Sequence, residues 1–453
     1  MDVTAVKPSD DVAVINGGRK LSGTVELDGF KHGFVMAVAA ALMGNHRLRF
    51  QAAPRQQEAA ALLRILNSIE IPAHREQSGT IVIDATKSPG ADFDESLFNS
   101  IHGSVYLIPG MLAHRGQATL RPAGGCQIGD GPGNSRPFEH YVEVIERFGG
   151  RVIRRSELGI SLRAERLRSC DLDMADFAAD RIRMSGPEYS GATKFSILCA
   201  AAAAGVSTIR QPYPKADVAE LLTVLRLLGA YVERLPGGDL RVGPGELWTG
   251  SRDVTHVIVP DIIQAMTWLT AGVVTGGSVA VSSPRISAVQ TALQPEFEAL
   301  AAMGLGAEVA GEKLRVTGSM GDIAPVNLEI TSRGVYSDVQ PFLALLLTGA
   351  DGTSTLTERV WRRRFSYADG LRDLGCDVSH ADGTLTIRGP RLPRVPGQLL
   401  RADDLRAAAA LVLAALCVDG TTVLTGLTHL ARGYQDLPGE LRALGGQVEP
   451  FGP

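Results

Sequence analysis

The sequence predicts an α/β protein of two domains, each built from three βαβ-containing repeats with buried helices inside and sheets outside. Three observations carry that prediction. At 453 residues the chain exceeds what a single hydrophobic core serves. A helix that passes through a short turn into a strand recurs six times. A second set of helices is so uniformly apolar that it leaves no face for water.

The six junctions read Asn67-Ser68-Ile69-Glu70-Ile71, Phe148-Gly149-Gly150-Arg151-Val152, Leu228-Gly229-Ala230-Tyr231-Val232, Leu305-Gly306-Ala307-Glu308-Val309, Leu374-Gly375-Cys376-Asp377-Val378 and Leu444-Gly445-Gly446-Gln447-Val448. In five of them the second position is glycine, which takes the left-handed conformation that stops a helix. They recur at intervals of roughly 70–80 residues, enough for two helices and several short strands per unit. The apolar helices are expected within 36–42, 195–204, 266–274, 339–347 and 405–417. Each leads through a Gly-containing turn into a β-branched stretch such as Gly352-Thr353-Ser354-Thr355-Leu356. Length suggests grouping the six units three and three. The polar connection Thr249-Gly250-Ser251-Arg252-Asp253 marks the expected boundary, and a ligand site is expected in the cleft between the halves.

With 45% hydrophobic and 21% charged residues the composition is that of a soluble globular protein. A net charge of −4 gives no global attraction to nucleic acid or to an anionic membrane. The longest apolar runs, 34–43 and 197–206, are too short to span a bilayer. The start lacks the basic end and apolar run of a secretory signal, and residues 1–11 read as a frayed tail. The five cysteines, Cys126, Cys170, Cys199, Cys376 and Cys417, are scattered, with no CxxC and no metal-ligand spacing to histidine. Reduced thiols in a cytoplasmic protein are expected.

One stretch stands apart, Gly124-Gly125-Cys126-Gln127-Ile128-Gly129-Asp130-Gly131-Pro132-Gly133-Asn134-Ser135-Arg136-Pro137. Its glycines and prolines forbid a regular element, so a long loop is expected. A thiol on such a loop can act as an acid or nucleophile over a bound ligand, with Arg136 holding an anion. A surface turn that contains a cysteine is the alternative. The spacing misses G-x-G-x-x-G, so no dinucleotide fingerprint is met. The basic run from Arg359 to Arg364 lacks the aromatic interleaving of a nucleic-acid surface and reads as a solvated face with one inward arginine.

Several of these residues resemble the enolpyruvyl transferases. They are Lys31 in Leu27-Asp28-Gly29-Phe30-Lys31-His32, the Gly124-Gly125-Cys126 loop, Ser337-Asp338-Val339-Gln340, the segment from Thr357 to Phe365, Asp404-Leu405-Arg406-Ala407 and Ala431-Arg432-Gly433-Tyr434. The likeness is greatest to the enzymes that move enolpyruvate from phosphoenolpyruvate onto UDP-N-acetylglucosamine, and it runs from Ile15 to Val448. It implies the two-domain enolpyruvyl-transferase fold, with one domain of 1–30 plus 257–453 and an inserted domain of 31–256 carrying the Cys126 loop. It implies phosphoenolpyruvate contacts from Lys31, Arg136, Arg364 and Arg432, since arginine grips oxyanions in pairs. By the same resemblance Asp338 is the base near the acceptor, and Cys126, together with Lys31, delivers a proton to C3. A helix N-cap ahead of Val339 is the alternative role for Asp338. The acceptor contacts it implies are His32, His102, Ser190, Gly191, Asp338, Asp404 and Arg406. Neither a metal nor an organic cofactor is implied. A monomer or weak homo-oligomer without nucleic-acid or membrane partners is expected.

The departures fall on the acceptor side. His32 replaces the usual Asn, His102 an Arg, and Pro187 a Lys that meets the acceptor's diphosphate. Ile262 and Gln264 replace an Arg and a Glu after Asp261, and the Cys126 loop is longer. Pro187 supplies no charge, and His102 supplies one only when protonated. An acceptor with fewer phosphates is therefore expected. UMP is favoured, because related transferases act on it in nucleoside-antibiotic biosynthesis. UDP-N-acetylglucosamine, another hydroxyl such as a shikimate-like compound or sugar phosphate, and a catalytically inactive nucleotide-binding paralogue are the alternatives.

Overall fold

In the computed structural model, which describes residues 11–122, 124–125, 128–131, 135–157 and 159–450, five four-stranded sheets repeat one connectivity and a sixth sheet has three strands. The sheet formed by strands Asn327–Ile330, Gly352–Glu358, Asp377–Ala381 and Thr384–Gly389 shows the unit. Its first two strands run parallel and are joined by helix Gln340–Leu347, and a second helix, Tyr367–Asp373, leads into an antiparallel pair. Parallel neighbours need such a crossover, whereas antiparallel ones need only a turn. One parallel and two antiparallel pairings recur in each of the other four-stranded sheets.

Three strands reach their sheets from far along the chain. Val12–Asn16 lies antiparallel between Thr421–Thr425 and Gln447–Pro450. Ser22–Glu26 pairs in parallel with Ser278–Ser282, and Asp253–Val257 with Arg47–Gln51. The connection at 249–253, expected at a boundary, therefore lies inside a sheet-bearing unit. By contact the described residues form two compact units, one within 1–28, 126–135 and 260–453 and the other within 29–125 and 136–259. The reading that the whole Cys126 loop travels with the inserted unit meets a difference here. Asp130 groups with the other unit, because its carboxylate accepts from the backbone N–H groups of Arg362 at 3.4 Å and Arg363 at 3.2 Å.

The apolar helices are inside, as their composition demands. Every residue of Ile262–Val274 and of Leu405–Leu416 is buried, as are nearly all of Lys31–Ala41 and Tyr189–Ala202. A helix with no polar stripe has only other protein to pack against. The helix-ending turns adopt the expected left-handed conformation at Gly149, Gly229, Gly375 and Gly445. In two junctions the alignment slips by two residues: the left-handed residue is Gly304 rather than Gly306, and Glu70 rather than Ser68. Asn67 explains how a non-glycine is accommodated, since its side chain bonds both the N–H and the C=O of Ala73 and closes the turn around Glu70. Asp11, counted with the frayed tail, is tied down by Thr428 at 2.8–2.9 Å. Among the described residues no helix is long and apolar enough to cross a membrane.

Candidate active site

In the unit of 260–453 the site residues form a network of paired charges. Arg364 Nη2 stands 2.5 Å from Asp338 Oδ1, and Arg406 Nη2 stands 3.9 Å from Asp338 Oδ2. Both guanidiniums are buried and Asp338 is partly open. Burial alone would lower both arginine pKa values, but the carboxylates around Arg364 and the Tyr434 and Asp338 groups around Arg406 raise them, so both stay charged. Arg364 Nη1 donates to Ser337 Oγ at 3.2 Å, and Ser337 donates to Glu358 Oε2 at 2.8 Å. The alternative role for Asp338 is not the one observed: Val339 is the N-cap of helix Gln340–Leu347, without a side-chain cap bond.

Asp404 and Asp261, in this unit, do cap helices. Asp404 accepts from the N–H groups of Arg406 and Ala407 and from Ser366 Oγ, and Asp261 accepts from Ile263 and Gln264. The substituted Gln264 has a structural use: its Nε2 donates to Gly433 O at 3.1 Å, which an ionised Glu could not do. Tyr434 bonds Thr267 at 2.6 Å and accepts from Arg406 at 3.2 Å. These contacts anchor the segment that follows Arg432, a half-buried residue ending the turn Leu427–Arg432.

The unit of 29–259 holds a cluster of different character. Lys31 opens helix Lys31–Ala41, where a cation opposes the helix dipole, and Glu58 in the first turn of Gln57–Ser68 answers it at 3.2 Å. His102 opens the turn His102–Leu107, and its pKa is held well below 6.5 by burial, then by Arg136, Lys194, His140 and His32. His102, expected to supply a charge only when protonated, is thereby held neutral near pH 7. His140 is buried, with its pKa lowered to about 3 by desolvation and Lys194. Neither nitrogen of His140, nor His102 Nδ1, has a hydrogen-bond partner among the described residues. Lys194 is committed to Asp217 at 2.9 Å and lies over the Tyr106 and Tyr213 rings. A Cβ at Gly191 would stand 2.6 Å from His140 Nε2, so only glycine permits this approach of helix Tyr189–Ala202.

The structure thus gathers Asp338, Arg364, Asp404 and Arg406 in one unit, and His32, His102 and Arg136 around the rings of the other. Lys31, Ser190 and Gly191 belong to that second unit and Arg432 to the first. Cys126 lies outside the described residues. Sequence reasoning assigned no role to Glu58, His140, Lys194, Asp217 or Glu358. His140 follows Arg136 by four positions, and Glu358 completes the alternation Ser354-Leu356-Glu358 of buried strand positions, so both left a signal. The pairing of Lys31 with Glu58 left none.

This fold, with a guanidinium–carboxylate network in one unit and Lys31 with the histidine cluster in the other, belongs to a class of group-transfer enzymes. The chain is a member of the EPSP synthase (3-phosphoshikimate 1-carboxyvinyltransferase) family, whose model matches residues 15–441, and it is an enolpyruvyl transferase. It is similar to the crystal structure of the enolpyruvyl transferase NikO from Streptomyces tendae, with a TM-score of 0.90 and 38% identity, covering 97% of this chain and 98% of that one. It is 30% identical over 436 residues to UDP-N-acetylglucosamine 1-carboxyvinyltransferase 2 of Bacillus subtilis (strain 168), covering 96% of this chain and 95% of the relative. EPSP synthase from Acinetobacter baumannii shares the fold, with a TM-score of 0.72 and 17% identity, covering 97% of this chain and 99% of that one.

Proposed function

We propose that this transferase moves the enolpyruvyl group of phosphoenolpyruvate onto a hydroxyl of a uridine nucleotide, with UMP favoured over UDP-N-acetylglucosamine, in the cytoplasm and in the service of nucleoside-antibiotic biosynthesis. The neutrality of His102 carries the choice of acceptor. Pro187 is uncharged and Lys194 is committed to Asp217. Arg406 is the one arginine among the residues proposed for the acceptor, and it is itself held by Asp338 and Tyr434, which favours an acceptor with few phosphates. The likeness to NikO supports this reading.

In the proposed chemistry the acceptor oxygen attacks C2 of phosphoenolpyruvate and passes its proton to Asp338. Cys126, with Lys31, delivers a proton to C3, so that C2 becomes tetrahedral and C3 a methyl group. Loss of a C3 proton then expels phosphate and restores the double bond. Lys31, Arg136, Arg364 and Arg432 hold the donor's carboxylate and phosphate, and arginines suit that task because each guanidinium meets two oxygens at once. His32, His102, Ser190, Gly191, Asp404 and Arg406 receive the acceptor. No metal or organic cofactor enters these steps.

A second reading, transfer to UDP-N-acetylglucosamine, is favoured by the Bacillus relative. Phosphate release from phosphoenolpyruvate with UMP, UDP, UDP-N-acetylglucosamine and a shikimate phosphate separates the two. A higher kcat/KM for UMP is expected. A kcat/KM for the UDP-sugar equal to or above it would overturn the acceptor assignment.

A further inference from the structure

Strand Gly352–Glu358 turns Ser354, Leu356 and Glu358 inward, so its two-residue period ends by burying a carboxylate. A buried carboxylate is costly unless its oxygens are bonded. Glu358 Oε1 accepts from the N–H groups of Val360 at 2.8 Å and Trp361 at 3.2 Å. Its Oε2 accepts from Ser337 Oγ at 2.8 Å, while Ser337 Oγ accepts from Arg364 Nη1 at 3.2 Å. Arg364 Nη2 completes the line at Asp338, 2.5 Å away. None of the steps proposed above uses Glu358 or Ser337.

We propose that Glu358 is a positioning residue: its carboxylate orients the Ser337 hydroxyl as an acceptor toward Arg364 and so fixes Arg364 against Asp338. The inference rests on the assignment of Asp338 and Arg364 to the transfer site. When Glu358 is ionised, it accepts the hydrogen bond of the Ser337 hydroxyl, and the lone pairs of Ser337 are left for Arg364. When Glu358 is protonated, its own O–H can donate to Ser337 and compete with the guanidinium for the same oxygen. The choice between these states falls in the working pH range. Burial raises the Glu358 pKa to about 7, against the opposing effects of Ser337, the Val360 N–H, Arg364 and the Trp361 N–H. The titratable and charged groups around it are Arg364 and Tyr367, with Asp338 and Asp404 acting on Arg364 in turn. Ionised Glu358 therefore dominates above this value, and the arrangement loosens as pH falls through it.

The test is the pH profile of kcat/KM for phosphate release, from about pH 5.5 to 9, since this ratio reports groups of the free enzyme. It uses the acceptor that the wild type turns over fastest. Wild type should lose activity on the acid side near pH 7. Glu358→Gln should lower kcat/KM at high pH by roughly ten- to a hundredfold, the range for losing a hydrogen bond to a charged group, and should abolish that acid limb. Ser337→Ala breaks the line while leaving the Glu358 carboxylate in place, and it should reproduce the loss. The double variant should be no worse than the poorer single one, because both remove one link. An acid limb unmoved in both single variants, or fully additive losses, overturns the inference while an active wild type leaves the site reading standing. A wild type that releases no phosphate with any acceptor overturns the site reading and this inference together.

Discussion

The two clusters solve the problem of buried polar groups in opposite ways. Around Asp338 the groups are ionised and matched, guanidinium to carboxylate and hydroxyl to carboxylate. Around His140 the rings have been driven neutral, and three of their nitrogens have no hydrogen-bond partner among the described residues. A matched ion pair is arranged to meet charge and loses much when one member is removed. A neutral ring with a bare nitrogen is suited to an uncharged hydrogen-bonding group and to few phosphates. His32, His102 and Pro187, three of the departures on the acceptor side, lie in the unit of the neutral cluster, which is where a changed acceptor would be felt.

The strongest challenge to the comparison is at Cys126, whose described neighbour Asp130 groups with the charged unit. If the proposed cations hold phosphoenolpyruvate beside it, they should also favour its thiolate. The other four thiols are poor nucleophiles: burial raises Cys170 to about 11, Cys376 and Cys417 to about 12, and Cys199 well above its ordinary value. Fosfomycin, a phosphonate with an epoxide open to thiolate attack, should therefore alkylate Cys126 alone. Cys126→Asp keeps an ionisable acid, so it should remain active and resist the drug. Cys126→Ser should lose most activity, about 10²- to 10⁴-fold, as for loss of a general acid. Peptide mapping that finds modification elsewhere, or an unimpaired Ser variant, removes Cys126 from the mechanism.

The next largest effect should separate two arginines of the same unit. Arg432→Ala should cost roughly 2–5 kcal/mol in kcat/KM if it grips the donor, the range for truncating one member of a buried charge pair. Arg359 pairs with Glu329 at 2.8 Å with both side chains about a third or more exposed. Such a pair contributes about 0–1 kcal/mol, so Arg359→Ala should leave activity nearly unchanged. Equal losses at the two positions would mean that the wrong arginine has been assigned to the donor.

The apolar helices were legible because the absence of a polar stripe leaves one solution, burial. The turn registers were legible only where glycine itself marks the left-handed residue. At Glu70 an asparagine side chain does that work, and at Gly304 a second glycine two positions later drew the alignment away. The ionised cluster lay in motifs and could be read by resemblance. The neutral cluster could not be read the same way, because the state of a histidine depends on the charges folded around it. The sequence leaves the charge of His102 conditional on protonation, and only its burial beside Arg136 and Lys194 shows that it stays neutral.

The smallest expected effect tests that neutrality directly, by stability rather than turnover. His140 has a folded-state pKa of about 3, below its ordinary 6.5. The unfolded chain therefore binds a proton between those values that the folded chain refuses, and stability contributed by the neutral ring is lost as pH falls through 6.5 toward 3. His140→Phe keeps an aromatic ring against Tyr141, whose centroid is 3.9 Å from that of His140, but it cannot titrate. The difference in unfolding free energy between wild type and variant should be nearly constant from about pH 7.5 to 8.5, and should move in favour of the variant by about 1–3 kcal/mol by pH 4.5. Urea midpoints measured side by side across this range cancel the titration of all other groups that the two proteins share. Parallel curves would mean that His140 is protonated as readily in the fold as outside it, and the contrast between an ionised and a neutral cluster would then fail at its neutral end.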